Sequence, residues 1–358
     1  MRSILFSVLI FSIPLLGAGC TRSDRNSASP AADKVVSLAI WSNYIASPVL
    51  ADFEKQTGIH VQVSHYSSNE ELLAKLQAGA SGYDVIVPSD YMISVMGKLG
   101  LLRKLERAKL PGFARLAPRL VGKPFDPSND YSMPYDAGTT GIAVNRELYK
   151  GEVRGWKDLF EKPDLAGRIS LLDDAREAIG AALKAQGRSL NSTDVASLEA
   201  AKAYLIKAKP RVKAFTSETL NALVTGEIAV AHVYSSDAFQ ARKQSGGKID
   251  YILPAEGGTF WIDNLAIPSR SAHPEAAYAL INYLLGGKAG AATAQAVFVA
   301  PASLDAFALL PETFRRENAG VFASTESGDK ALARFELIQD LGDAQLAWDR
   351  AWTEIKAH

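Results

Sequence analysis

The side chains in this chain fit for chemistry are indoles, phenols and carboxylates, and the most informative lie in Glu256–Pro268, EGGTFWIDNLAIP. Gly257-Gly258 leads into an extended segment that leaves at Pro268. Alternate residues of a strand share a face, so Trp261 and Asp263 point one way and Phe260 and Ile262 the other. An indole beside a carboxylate suits an organic cation: the ring face attracts positive charge and the carboxylate accepts hydrogen bonds from an ammonium group. Taken alone, the segment reads more simply as a core tryptophan with an aspartate opening a turn. The pairing recurs, however, in Asp90 with Tyr91, Asp174 with Glu177, and Tyr234 with Asp237. Asp174 and Glu177 are spaced as the N-cap and third residue of a helix, and capping accounts for that pair by itself. It does not account for the repetition.

The elements that position these residues alternate between strand and helix. Val35–Trp41 and Tyr83–Pro88 are apolar runs, and Ile59–Tyr66 alternates apolar with polar residues, so all three read as strands. Between them lie helices at Pro48–Thr57, stopped by Gly58, and from a Ser68–Glu71 capping box to about Gln77. Pro111–Tyr135 reads as irregular, and Gly141–Asn145 restarts a strand. A second set follows, with strands at Arg168–Leu172, Val212–Phe215 and Ile228–Tyr234 and helices at Asp174–Gln186, Thr193–Lys207, Ser217–Thr225 and Ser236–Gln244. This alternation predicts a parallel α/β sheet, in which ligands bind beyond the carboxyl ends of the strands. Trp41, Ser42 and Tyr44 follow the first strand, and Ser89 and Tyr91 the third. Carboxylates placed at helix N-termini cancel the usual preference of such ends for anions. The expected cleft is acidic and aromatic, and its ligand a cation.

Composition bounds the alternatives. The chain has 358 residues with 39 basic and 39 acidic side chains, so no bulk field favours nucleic acid or an anionic membrane. Arg2, the apolar run Ile4–Leu16 and Gly17-Ala18-Gly19-Cys20 form a secretory signal, too short to span a membrane stably. Cys20 is the one cysteine, which excludes an intramolecular disulfide. Its placement resembles the lipobox of bacterial lipoproteins, although Gly17 stands where Leu is usual; the alternative is ordinary cleavage near Cys20 with a free thiol. Thr21–Lys34 is small and polar and reads as a flexible tether. An enzyme is poorly supported. There is no cysteine after Cys20, no P-loop and no G-x-S-x-G, and the acidic pair alone is a weak glycosidase signal. His60 and His65 face opposite sides of a strand, and His232, His273 and His358 are isolated, so no metal site and no cofactor are expected.

Several stretches together resemble the extracytoplasmic spermidine/putrescine-binding proteins of bacterial ABC importers. They are WSNYI (41–45), FEKQTGI (53–59), SSNEELLAKLQAG (67–79), YDVIVPSDY (83–91), KPFDPSNDYSMPY (123–135), LLDDARE (171–177) and EGGTFWIDNLAIP (256–268). The similarity runs from about residue 38 to at least residue 300. It implies a type II periplasmic-binding-protein fold, with ligand held in a cleft between two α/β lobes joined by crossover segments. Lobe one would hold 35–138 plus 261–308, and lobe two 139–260 plus 309–358. The implied ligand residues are Trp41, Ser42, Tyr44, Ser89, Tyr91, Asp174, Glu177, Tyr234, Asp237, Trp261, Asp263 and Phe298, with Gln339 as a weaker match. Trp41, Tyr234 and Trp261 would flank a methylene chain, the four acids would pair with amines, and the serines would make single hydrogen bonds. Tyr91, Asp174 and Trp261 resemble the spermidine-accepting pattern. Asn43 stands where an acid is usual, Tyr234 where Trp is, Phe298 where Tyr is, and Asp136 replaces an apolar or Trp-containing pair. The implied partners are a polyamine and an ABC permease with its ATPase subunits. The protein would be a periplasmic monomer held at the membrane only through lipidated Cys20. The alternatives are the same fold binding another organic cation or a sugar, or serving as a ligand sensor.

Overall fold

The computed structural model describes residues 34–79, 82–318 and 332–358. The signal segment, the Cys20 lipidation site and all of the tether but Lys34 lie outside the described residues. The strands are β1 (Val35–Trp41), β2 (His60–Tyr66), β3 (Val85–Ile86), β4 (Ser132–Asn145), β5 (Ile169–Leu171), β6 (Val212–Phe215), β7 (Val230–Tyr234), β8 (Ile249–Ile252), β9 (Phe260–Ala266) and β10 (Ala300–Pro301). The helices that matter for the site are α1 (Ser47–Thr57), α2 (Asn69–Gln77), α3 (Asp90–Lys98), α4 (Trp156–Glu161), α5 (Ala175–Ala185), α6 (Val195–Ala208), α7 (Thr219–Val224), α8 (Ser235–Gln244), α9 (Pro274–Leu284) and α10 (Gly287–Val297).

The strands follow the path β2-β1-β3-β9-β4-β7-β5-β6, with β8 and β10 also paired to β4. Here the structure corrects the expectation of an all-parallel sheet. The groups at the two ends, β2-β1-β3 and β7-β5-β6, are parallel, as helix crossovers require. The middle is antiparallel, because β4 is long and β9 returns from far along the chain to lie beside it. The part of β4 from Ser132 to Thr139 pairs with β9, and the part from Thr140 to Asn145 pairs with β7 and β8. All of β4 is buried. The stretch expected to be irregular through Tyr135 therefore gives way to strand at Ser132.

Two large apolar clusters support these halves. One gathers Leu38, Ile40, Phe53, Ile262 and Ile281 around β1, β9 and α9. The other gathers Trp156, Ile169, Ile179, Leu205 and Trp348, the last from a helix at Gln345–Ala357. Local signals hold where caps dictate them. Gly58 closes α1 in the left-handed conformation, and the Ser68 side chain accepts from the Glu71 amide at the start of α2. Gly286 caps α10, so the GGKAG sequence is a break between α9 and α10.

Candidate binding site

The carboxyl ends of β1, β2, β3, β5, β6 and β7 meet β9 around a cleft of about 870 Å³, its open mouth included. Every ligand residue expected from the sequence lines this cleft except Phe298 and the weaker match Gln339.

One wall is built by β1, β3, α2, α3 and β9. Trp41 donates its indole N–H to the Val87 carbonyl at 2.8 Å, which fixes the ring. Tyr66 packs against it with centroids 4.6 Å apart. Ser89, the N-cap of α3, makes no side-chain cap bond; its hydroxyl instead donates to Asp263 Oδ1 at 2.7 Å. Asp263 is buried, and burial pushes its carboxyl up to about 6 despite the Ser89 donor and the nearby Tyr44 hydroxyl, which both act to lower it. The Tyr44 hydroxyl lies near Asp263 but is buried without a hydrogen-bond partner. Trp261 shares the face of Asp263 as strand alternation requires, and its indole N–H likewise has no partner. Gly138 on β4 makes room for it: a Cβ there would lie 2.2 Å from Trp261 Cζ2. Tyr91 donates to Glu70 Oε1 at 2.8 Å and receives Asn69 Nδ2 at 3.3 Å. Asp90, behind Tyr91, is pushed up to about 8 by burial.

The other wall comes from α5, β7 and α8. Asp174 caps α5 and accepts from the amides of Arg176 at 2.8 Å and Glu177 at 3.0 Å. Glu177 departs from the capping-box reading. It accepts from Thr140 Oγ1 at 2.9 Å and Thr259 Oγ1 at 2.8 Å, so β4 and the approach to β9 hold it rather than its own helix end. Burial, then the charge of Asp174, push Glu177 up to about 8. Asp237 accepts from Thr219 Oγ1 at 2.8 Å and is pushed up to about 6 by burial. The Tyr234 hydroxyl is driven well above its usual range by burial and by Asp174, Glu177 and Asp263, so it stands among acids of both walls. Beneath this wall Arg176, almost fully buried, donates to the Gln339 carbonyl at 2.8 Å and to Asn191 Oδ1 at 3.1 Å, and lies 5.4 Å from the Tyr91 ring centroid. It is a fixed countercharge for acids at one end of the cleft. His232 has no hydrogen-bond partner on either ring nitrogen, and burial drops it to about 3, leaving it neutral.

Phe298 is a correction. It caps α10 at φ 57°, and its ring packs against Phe239 and Phe314, with centroids 6.3 and 5.5 Å away, outside the cleft lining. Gln339 uses only its backbone; the neighbouring Ile338 lines the cleft. Asn43 sits at φ 56°, a left-handed position that asparagine tolerates better than most residues, and does not line the cleft. The lining also holds Tyr66, Ser67, Asn69, Ser217, Glu218 and Ser236, which sequence reasoning missed. Each stands at or just after the end of β2, β6 or β7, so the strand-end rule applied to those strands finds them. Among the described residues, no group of three His, Cys, Asp or Glu side chains is placed to hold a metal ion. The cleft offers acids with neutral donors, ring faces and one hydroxyl per wall or more, which is an arrangement for holding a cation by its hydrogens.

Comparison with known proteins agrees with this geometry. The family model described as bacterial extracellular solute-binding protein matches residues 49–319. The chain is 36% identical over 340 residues to the spermidine/putrescine-binding periplasmic protein 1 of Haemophilus influenzae, covering 94% of this chain and 92% of that one. It is 36% identical over 350 residues to a putrescine/cadaverine-binding protein of Pseudomonas aeruginosa, covering 91% and 94%. A solved structure of a putative spermidine/putrescine ABC transporter protein from Listeria monocytogenes superposes with a TM-score of 0.83 at 32% identity, covering 90% of this chain and 99% of that one. On these matches, the chain belongs to the family of bacterial extracellular solute-binding proteins.

Proposed function

We propose that this protein captures a polyamine, spermidine or putrescine, in the acidic aromatic cleft and delivers it to an ABC permease. The observation that carries the reading is the joint lining of one cleft by Asp263 and Trp261 from β9 with Asp174, Glu177 and Asp237 from α5 and α8. A buried ammonium left unpaired is costly by several kcal/mol, so carboxylates on both walls match a ligand charged at both ends. The rings of Trp41, Tyr234 and Trp261 supply faces for the methylenes between. The names of the H. influenzae and P. aeruginosa relatives point to the same ligand class.

In this reading, 35–138 plus 261–308 form one lobe and 139–260 plus 309–358 the other. They close over the ligand by a hinge motion, and the closed form is what the permease and its ATPase subunits receive. The protein works as a monomer outside the cytoplasm, held at the membrane by lipidated Cys20. In this reading it binds and hands over the ligand and performs no chemistry on it. The test is calorimetric titration of ligand-stripped, refolded protein with putrescine, cadaverine, spermidine and spermine at two salt concentrations. Tight binding of one or two of these is expected, and absence of binding to all four by folded protein would refute the reading.

A further inference from the structure

Beside Asp263, a second carboxylate is hidden from the cleft. Asp136 on β4 is 1% exposed and neither of its oxygens has a hydrogen-bond partner. It stands opposite Asp263 in the antiparallel register of β4 and β9, the first pair after the irregularity at Tyr135. Residues so paired present their side chains on one face, with Cβ atoms about 4.5–5.5 Å apart. The Tyr44 hydroxyl feels both acids, Asp263 before Asp136, and is itself unpartnered, as is the Trp261 indole N–H. Buried polar atoms without partners are uncommon in native proteins, and here four of them share one corner of the site.

Two carboxylates this close in a dry corner do not both ionise without a countercharge. Asp263 has the Ser89 hydroxyl as a donor and opens on the cleft, whereas Asp136 has neither. Both burial and the Asp263 charge raise the Asp136 carboxyl, so of the two acids Asp136 is the one that favours its proton. The titratable groups facing Asp136 are Asp263 on β9, Tyr44 from the β1–α1 connection and its neighbour Tyr135 on β4; Pro301 on β10 brings no charge. Among the described residues, no cation acts on Asp136.

We propose that Asp136 is the concealed second acid of the Asp263 subsite, protonated in the empty receptor and ionised when an ammonium group docks on Asp263. The Asp136 O–H bond breaks, its proton leaves to bulk water, and the ammonium keeps its own protons. Capture at this subsite thus releases a proton and gains a second countercharge. The complex holds fewer protons than the free protein, so affinity rises with pH. This deepens the polyamine reading and rests on it.

The test is calorimetry of the refolded protein with putrescine and with spermidine near pH 7.5, in buffers of different ionisation enthalpy, which counts protons released per ligand. This pH lies above the value of about 6 for Asp263, which limits that group's own contribution. Native protein is expected to release about one proton more than Asp136→Asn, and its affinity to gain up to roughly 10-fold more per pH unit than the variant's. Asp136→Leu, an apolar filler at a buried site, is the second variant should the first fold poorly, and the same difference is expected. A merely structural Asp136 would shift melting temperature and leave the proton count unchanged. Equal counts in native and variant protein that both bind, or a native count of zero, overturn the proposal. Failure of both amines to bind native protein is a different outcome: it removes the polyamine reading and this proposal with it.

Discussion

On the wall formed by α5 and α8, every carboxylate already accepts hydrogen bonds from uncharged groups of the protein. Asp174 has two backbone amides, Glu177 two threonine hydroxyls and Asp237 one. On the β9 wall, Asp90 likewise accepts from the Tyr91 and Ile262 amides, but Asp263 has the Ser89 hydroxyl as its one close donor and Asp136 has nothing. A carboxylate with neutral donors is positioned and partly stabilised before any ligand arrives, so an incoming cation adds less. One without them depends on the ligand for its countercharge. In the polyamine reading, the difference gives anchoring to the β9 wall and alignment to the other, although the acids themselves are the same chemical group.

That comparison is most directly broken by substitution. Asp263→Asn is expected to weaken polyamine binding by 100-fold or more, the consequence of leaving a buried ammonium without its partner, roughly 3 kcal/mol or above. Asp237→Asn should weaken it only about 10-fold, because Thr219 still finds an acceptor and other acids remain on that wall. Equal losses in the two variants, read by calorimetry, would erase the distinction. Next in size is Gly138→Ala. Its Cβ would meet Trp261 Cζ2 at 2.2 Å and Ser235 Oγ at 2.7 Å, so the indole must shift. Overpacking of this kind costs about 1–3 kcal/mol, and both melting temperature and affinity should fall.

The acids also set a pH dependence. Asp263 and Asp237 are held up at about 6, and Asp90 and Glu177 at about 8. A raised carboxyl binds its proton in the folded state where the unfolded chain has lost it. Its contribution is therefore complete at low pH and is lost as pH rises from about 4 through 8. Acids held below their ordinary range, such as Glu71 at about 2, have finished titrating below that window. Melting temperature of the empty protein should fall between about pH 5 and 8.5, and the stabilisation given by added polyamine should grow over the same interval. The smallest effect is expected from Lys98→Met. Lys98 pairs with Asp340 at 2.6 Å, but its side chain is 68% exposed, and such pairs contribute little. Melting temperature should not change measurably.

What the sequence made legible was local. The span of β1, the Gly58 stop of α1 and the Asp174 cap of α5 follow from neighbours within a few residues. The alternation of Trp261 and Asp263 needed only the period of a strand. Long-range pairing was not legible: Thr140 and Thr259 reach Glu177 from 37 and 82 residues away. The antiparallel centre of the sheet depends on β9 meeting β4 across the whole second half of the fold, and nothing in either segment states that partner. Phe298 was misplaced because a matched position in a motif carries no backbone angle, and its left-handed φ at the end of α10 turns the ring into the Phe239–Phe314 packing. Asp136 is a visible departure in the sequence, but only the structure shows both of its oxygens without partners.

The central claim is that the β9 wall anchors a cation. A crystal structure of the protein with the polyamine it binds tests this most directly. The expected result is an ammonium nitrogen within hydrogen-bond distance of Asp263, about 2.7–3.0 Å, with the methylene chain lying between the Trp41 and Trp261 rings. A ligand seated with its nitrogens only on Asp174, Glu177 and Asp237, and with Asp263 still bound to Ser89 alone, would contradict it.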